Sequence, residues 1–400
     1  MNRTRIVFFL GSAVVVLSLL SGSLLGAAGE RDAAANGDDS LYKHLAVFSE
    51  VLTLIRQAYV DAPDVEALMA GALDGTTDAL DPFSLYVPAS ELEAYRLARE
   101  VGTRHSGLTV LKERGVVYVV AVDPGSPAAE AAIEAGDLVT EIDGRNTRTV
   151  PLWDVKEVLT AAPGTPVQLE LLRLGEPVSV ELRLATFTPP APALEEREGV
   201  AVLRVPSFLP ETAARVRDLL AGAAATGDER LVLDLRSVAG GDPEVAYRIA
   251  ELFAGGELGA LTAKGKTLTR FRGEAEPLWS GPMVVLVTRG TLGPAELLAD
   301  VLRQAAGAEL VGERSFGWSG RQDWADLPSG GRLYFTDAFY GGPDGTPLAE
   351  GLEPDLRVDR TSFDQRERPL DELILDRGIE RVRELGAEPE PAETEVAEAA

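Results

Sequence analysis

Short, continuous apolar runs alternate with amphipathic stretches over the second half of the chain, and that alternation restricts the fold more than any other feature. Gly199-Val-Ala-Val-Leu-Arg-Val205, Leu231-Val-Leu-Asp-Leu235 and Met283-Val-Val-Leu-Val287 have the composition of strands buried on both faces. The stretches 211–223, 243–253 and 294–306 read as helices, and Leu333 to Tyr340 as a further strand. Strands separated by helices build an α/β core around a largely parallel sheet. Pro189-Pro-Ala-Pro192 is a short semi-rigid linker, which places this core at 193–385.

A smaller unit precedes it at 101–187. Val116 to Val122 has strand composition, Pro124-Gly-Ser-Pro127 turns into a helix expected over Ala128 to Ala135, and Gly136-Asp-Leu-Val-Thr-Glu-Ile-Asp-Gly144 is a strand ending in an Asp-Gly turn. A second helix, Leu152 to Thr160, and strands at Val167–Leu172 and Val178–Leu184 complete it. Segment 29–100 begins with a polar, small-residue tether and continues as helix, because Phe48, Val51, Leu52, Ile55 and Tyr59 repeat at helical spacing. Segment 386–400, rich in Glu, Pro and Ala, has the composition of a disordered acidic tail.

At the other end, Arg3 and Arg5 precede an apolar, small-residue run from Ile6 to Ala28. That run is long for the core of a cleaved signal and long enough to span a bilayer, so 1–28 is either a signal peptide or a signal anchor, and the rest of the chain is expected outside the cytoplasm, periplasmic or membrane-anchored. The net charge of −26 speaks against a nucleic-acid partner, which needs a clustered positive field. The chain contains no cysteine, which excludes thiol catalysis and sulfur-ligated metals; with only His44 and His105, no metal or other cofactor is expected.

Several motifs carry a resemblance that covers roughly 45–385. Ala135-Gly-Asp137 with Ile142-Asp-Gly144 resembles a PDZ domain; Leu80-Asp-Pro-Phe-Ser84, Val232 to Gly241 and Gly351-Leu-Glu-Pro-Asp355 are similar to segments of the carboxyl-terminal processing peptidases, the tail-specific proteases of peptidase family S41. Val284 to Asp300 and Val311 to Gln322 resemble that family's catalytic half, whose pattern reads Gly-Ser-Ala-Ser-Ala-Ser-Glu, with the middle serine as nucleophile, and then Phe-Gly-Lys-Gly, with the lysine as base. The resemblance implies a multidomain α/β protein: an N-terminal helical region, an inserted PDZ domain and a peptidase-like core.

Aligned through Glu296 and through Phe316-Gly317, the nucleophile falls on Gly293 and the base on Trp318, at the family's own separation. Glycine has no side chain, and an indole N–H only donates, so neither can perform the proton transfer that activates a serine. Gln322 matches the glutamine that supports the lysine, and Gly240 and Gly241 match the glycines whose amides help form an oxyanion hole. Phe83 stands where the family's Leu-Asp-Pro-His-Ser has histidine. The resemblance therefore implies a family member without its catalytic serine and lysine; the indole is expected against or near Gly293, filling the vacated volume. The remaining chemistry is peptide binding: an unstructured peptide or protein C-terminus added as a strand, its carboxylate held by backbone donors in the loop Ser106-Gly107-Leu108-Thr109. The alternative is an active serine endopeptidase with displaced residues, drawn from Thr291, Ser315 or Ser319 with Lys264 or Lys266.

Overall fold

The computed structural model describes residues 35–226, 229–348, 350–358 and 369–386. The targeting segment 1–28 and the tail beyond Gly386 lie outside the described residues. Among those described, no helix is long and apolar enough to cross a membrane. The chain divides into two units, residues through Met69 and residues from Ala70 onward. The first holds helix α1 (Ala35–Ala58) and the start of α2 (Val65–Asp78).

The second unit opens with the end of α2, a short strand β1 (Leu85–Val87) and helix α3 (Leu92–Val101). The PDZ-like portion follows: β2 (Leu108–Glu113), β3 (Val116–Val122), a single turn α4 (Pro127–Glu130), β4 (Leu138–Ile142), β5 (Arg145–Asn146), α5 (Leu152–Leu159), β6 (Pro166–Arg173) and β7 (Glu176–Arg183). Its strands form one antiparallel sheet in the order β2-β3-β4-β6-β7, with β5 on β4. In β6 the alternate residues Val167, Leu169 and Leu171 turn inward onto Val155 and Leu159 of α5, the period-2 pattern of a half-buried strand. Helix α4 is half the length expected from Ala128 to Ala135. Ser126 caps it by accepting from Ala129 N at 3.2 Å, and Ala132 then takes φ +54°, which ends the helix.

The core continues with β8 (Ala193–Arg197), β9 (Val200–Arg204), α6 (Thr212–Thr226), β10 (Leu231–Asp234), α7 (Pro243–Ala250), β11 (Gly256–Ala263), β12 (Lys266–Gly273), β13 (Met283–Val287), α8 (Pro294–Ala306), β14 (Glu309–Gly312), β15 (Gly320–Asp326), β16 (Arg332–Gly341), β17 (Leu356–Arg357) and α9 (Leu370–Leu385). One sheet has the order β17-β14-β13-β10-β9-β8 and is parallel except at β8, as the alternating strands and helices predict. Its two faces are both covered. Ala201, Leu203, Leu231, Leu233 and Val285 pack on α6, α7 and α8, while Val200, Val202, Val232, Val284 and Leu286 pack on α9.

The strand expected at Leu333–Tyr340 does not join that sheet. As β16 it centres a second, antiparallel sheet, β1-β16-β11-β12, with β15 also paired to β16. Strand β1, from within 29–100, thereby pairs with the core through Leu85↔Tyr334.

At the end of β10, Asp234 is 3% exposed and lies between two arginines: Arg236 Nε and Nη2 each donate to it at 2.7 Å, and Arg204 Nη1 at 3.0 Å. Burial alone would raise this carboxyl; the arginines hold it below the usual aspartate range. Replacing Asp234 with Ala leaves Arg236 buried without its partner, so it should cost about 3–5 kcal/mol in urea unfolding. A loss below about 1 kcal/mol would show that the pair is not structurally required.

Candidate functional site

The turn after β13 delivers Gly293 to the N-terminus of α8. Thr291 fixes this turn: its hydroxyl donates to Leu235 O at 2.9 Å and accepts from Thr288 N at 2.9 Å. Leu292 N donates to Val238 O at 2.9 Å, which sets the turn beside the 236–241 loop. Gly293 has φ +63° and ψ −118°, a backbone conformation that strains any residue with a Cβ. A Cβ built there would meet nothing within 4 Å, so the strain is of the backbone alone.

One turn into α8, the fully buried Glu296 joins this helix to the 313–319 loop. Its Oε2 accepts from Gly293 N at 3.3 Å and from Trp318 N at 2.9 Å. Its Oε1 accepts from Gly317 N at 2.6 Å and from the Ser315 hydroxyl. Positions 293 and 318 thus meet at one carboxylate oxygen. Burial pushes Glu296 up to about 7, against the opposing pull of these four hydrogen bonds.

Trp318 lies near Gly293, since both meet at Glu296, but its ring does not fill the space at that glycine, where a Cβ would meet nothing within 4 Å. It stacks on Phe83, with centroids 4.4 Å apart and planes at 24°, and meets Phe339 edge-on at 5.6 Å. Phe83, Phe316, Trp318 and Tyr118 pack with Ala239 around Leu111, Val120 and Leu292. Two departures from the family pattern, Phe83 and Trp318, therefore touch each other, and the cluster joins β2 and β3 to the core. The indole turns to Phe83 because stacking on a flat ring gives it more contact than a bare glycine backbone can.

Of the remaining positions singled out in the sequence, Gly240 and Gly241 are exposed. Gly241 has φ +119° and bridges to Phe208, whose backbone a Cβ would strike at 2.6 Å. Gln322 is turned across the hairpin to donate to Thr336 Oγ1 at 2.6 Å. The three candidate hydroxyls are buried and engaged: Thr291 and Ser315 as above, and Ser319 donating to Tyr340 O at 2.6 Å and accepting from Leu348 N at 3.1 Å. Lys264 and Lys266 lie exposed at the tip of the β11–β12 hairpin. Among the described residues, no group of three His, Cys, Asp or Glu side chains is placed to hold a metal ion.

Residues 199–358 match the model of peptidase family S41, and 118–173 match a PDZ domain model. The chain is a homologue of the S41 carboxy-terminal processing proteases. It is 28% identical over 366 residues to a carboxy-terminal-processing protease of Bartonella bacilliformis, covering 89% of this chain and 83% of that protein. It is 25% identical over 359 residues to a carboxy-terminal processing protease of Bacillus subtilis, covering 88% and 75%. The fold is also that of a photosystem II D1 C-terminal processing protease, with a TM-score of 0.67, 24% identity, and coverage of 84% of this chain and 90% of that one.

In this S41 homologue the loop expected to cradle a peptide carboxylate is turned inward. Ser106 is 1% exposed, and Ala128 N donates to its carbonyl. Gly107 N donates to Thr103 O at 2.6 Å and Leu108 N to Ser106 Oγ at 3.3 Å. Gly107, at φ +77°, packs so closely on Ser126 that a Cβ would lie 2.0 Å from it. Two of the donors expected from Gly107, Leu108 and Thr109 are therefore engaged within the domain. Beside the loop, a cavity of about 260 Å³ runs between β2 and α5, with Gln322 and Tyr334 of the core on its far wall.

Two predictions test this geometry. A double-mutant cycle of Phe83→Ala and Trp318→Ala should return a coupling of about 0.5–1.5 kcal/mol for the stacked pair; additive losses would mean the rings do not depend on each other. The second concerns pH. With Glu296 at 4.5 when unfolded and about 7 when folded, the folded chain retains a proton between those values that the unfolded chain releases. The group's contribution to stability is therefore full below about pH 4.5 and declines as pH rises through about 7. Glu296→Gln places an amide NH2 against backbone donors and should melt lower at pH 5. The gap to wild type should narrow by pH 7.5; parallel profiles would contradict the assignment.

Proposed function

We propose that this S41 homologue is catalytically inactive and binds unstructured peptides or protein C-termini through its PDZ domain, outside the cytoplasmic membrane, exported or anchored by residues 1–28. The observation that supports it most is the pairing at Glu296: the two positions matched to nucleophile and base are brought together, yet one has no side chain and the other contributes an indole engaged with Phe83. Cleavage needs a hydroxyl that can lose its proton to a neighbouring base. Thr291 and Ser319 donate to the carbonyls Leu235 O and Tyr340 O, which are not bases; Ser315 donates to Glu296 but is buried and also tied to Leu352 N, out of a substrate's reach, and the hairpin lysines are exposed. An oxyanion hole at Gly240 and Gly241, if formed, would have no tetrahedral intermediate to stabilise.

The test is incubation of the purified full chain with unstructured peptides carrying apolar carboxyl ends. No cleavage is expected; cleavage that is lost when one of Thr291, Ser315 or Ser319 is replaced in a variant that still folds would establish displaced chemistry instead. The double variant Gly293→Ser with Trp318→Lys should gain little activity. Serine at φ +63° is strained, and lysine in place of the indole loses the stack on Phe83. Errors of about 1 Å in such a site cost on the order of 100-fold in rate. Strong turnover by the double variant would mean the pocket is still shaped for catalysis.

A further inference from the structure

The cavity between β2 and α5 has an unusual charge arrangement. Its apolar wall is Leu108, Val110, Leu111 and Leu159; α3 closes another side through Tyr95 and Ala98. Lys156, on α5, and Arg99, on α3, both line it, and none of its lining residues is Asp or Glu. That absence is telling in a chain with 64 acidic residues against 38 lysines and arginines. Two arginines of this domain have carboxylate partners: Arg145 pairs with Asp154 and Arg173 with Asp137, both at 2.7 Å. Among the described residues, the Lys156 amine and the Arg99 guanidinium have no hydrogen bond or ion pair; Arg99 instead lies over the Tyr334 ring at 4.6 Å.

Two like charges sharing a partly desolvated space without a counter-charge are unfavourable. The strain registers on Lys156, whose amine is pushed down to about 8, by burial first and by Arg99 second. An anion from outside would relieve both. The cavity runs along β2, the edge strand of its sheet, where an extended peptide can add as a further strand. The backbone donors that would otherwise receive such a peptide's end, Gly107 N and Leu108 N, are engaged with Thr103 O and Ser106 Oγ.

We infer that Lys156 and Arg99 capture the terminal carboxylate of a peptide laid along β2, with its last, apolar side chain against Leu108, Val110 and Leu159. This rests on the peptide-binding reading above and assigns the recognition of the chain end to side chains from two helices rather than to the loop.

Fluorescence anisotropy with the full chain tests it, using one labelled unstructured peptide with an apolar last residue in three forms: free acid, amidated, and amidated with a glutamate near its end. The free acid should bind in the micromolar range. The amidated form should bind about tenfold or more weaker, the scale of a hydrogen-bonded charge. Lys156→Met and Arg99→Met should each shrink that gap, while Lys156→Arg should keep it. Thermal melting of each variant separates lost binding from lost fold, and the Arg99 and Lys156→Arg arms decide the matter if Lys156→Met fails to fold. A preference for the free acid that is undiminished in both methionine variants would overturn the inference and return the carboxylate to the loop, leaving peptide binding intact. Equal binding of the glutamate-bearing amide would overturn it too, since the cations would then read a side chain. No binding of any form would overturn the peptide-binding reading itself.

Discussion

The Glu296 carboxylate is the constraint on which the centre of the molecule depends. It is fully buried, and it holds four donors from two parts of the chain: the N-terminus of α8 and the loop between β14 and β15. A helix N-terminus favours a nearby acid through its unpaired N–H groups, and Gly293 N is one of them. The other three donors come from Ser315, Gly317 and Trp318, so a single side chain sets both where the helix starts and how the loop leaves the sheet. Ser315 extends the link, because its hydroxyl also accepts from Leu352 N at 2.7 Å.

That junction shows how a peptidase frame is held together with glycine at 293 and tryptophan at 318. The backbone geometry around positions 293 and 318 is maintained by hydrogen bonds that involve neither side chain, so their loss need not unravel the fold. Trp318 instead supplies packing: with Phe83 and Phe316 it closes an apolar cluster that includes Leu111 and Val120 of the PDZ sheet. The side chain at 318 is thus part of a hydrophobic joint between two parts of the second unit. On the binding reading proposed above, function would rest on the cavity beside β2, which has two cations and an apolar wall.

Much of this was legible in the sequence where one segment carries its own signal. Helix α8 and strand β13 have the bounds that their amphipathic and continuous apolar patterns predict, because both are buried on the faces those patterns mark. The hairpin of β11 and β12 and the strand β15 were not. Strand β12 is exposed along nearly its whole length, and β15 is Gly-Arg-Gln-Asp-Trp-Ala-Asp, so their extended form comes from pairing with a distant partner rather than from a local pattern. The same reason hides the Trp318 orientation: its stacking partner, Phe83, lies in a different segment, and only the fold brings the rings together. Glu296 reads as an ordinary acid in a first helical turn until its burial is seen, and Lys156 as a solvated helix residue until α3 closes over α5.

On the inactive reading proposed above, no hydroxyl near Gly293 acts as a nucleophile: Thr291, Ser315 and Ser319 are buried, and their hydroxyls are held by Leu235 O, Glu296 and Tyr340 O. Intact-mass and peptide-mapping mass spectrometry after prolonged exposure of the native full chain to a fluorophosphonate tests it directly. An unmodified mass is expected for the folded protein. A stoichiometric adduct mapped to Thr291, Ser315 or Ser319 would contradict it.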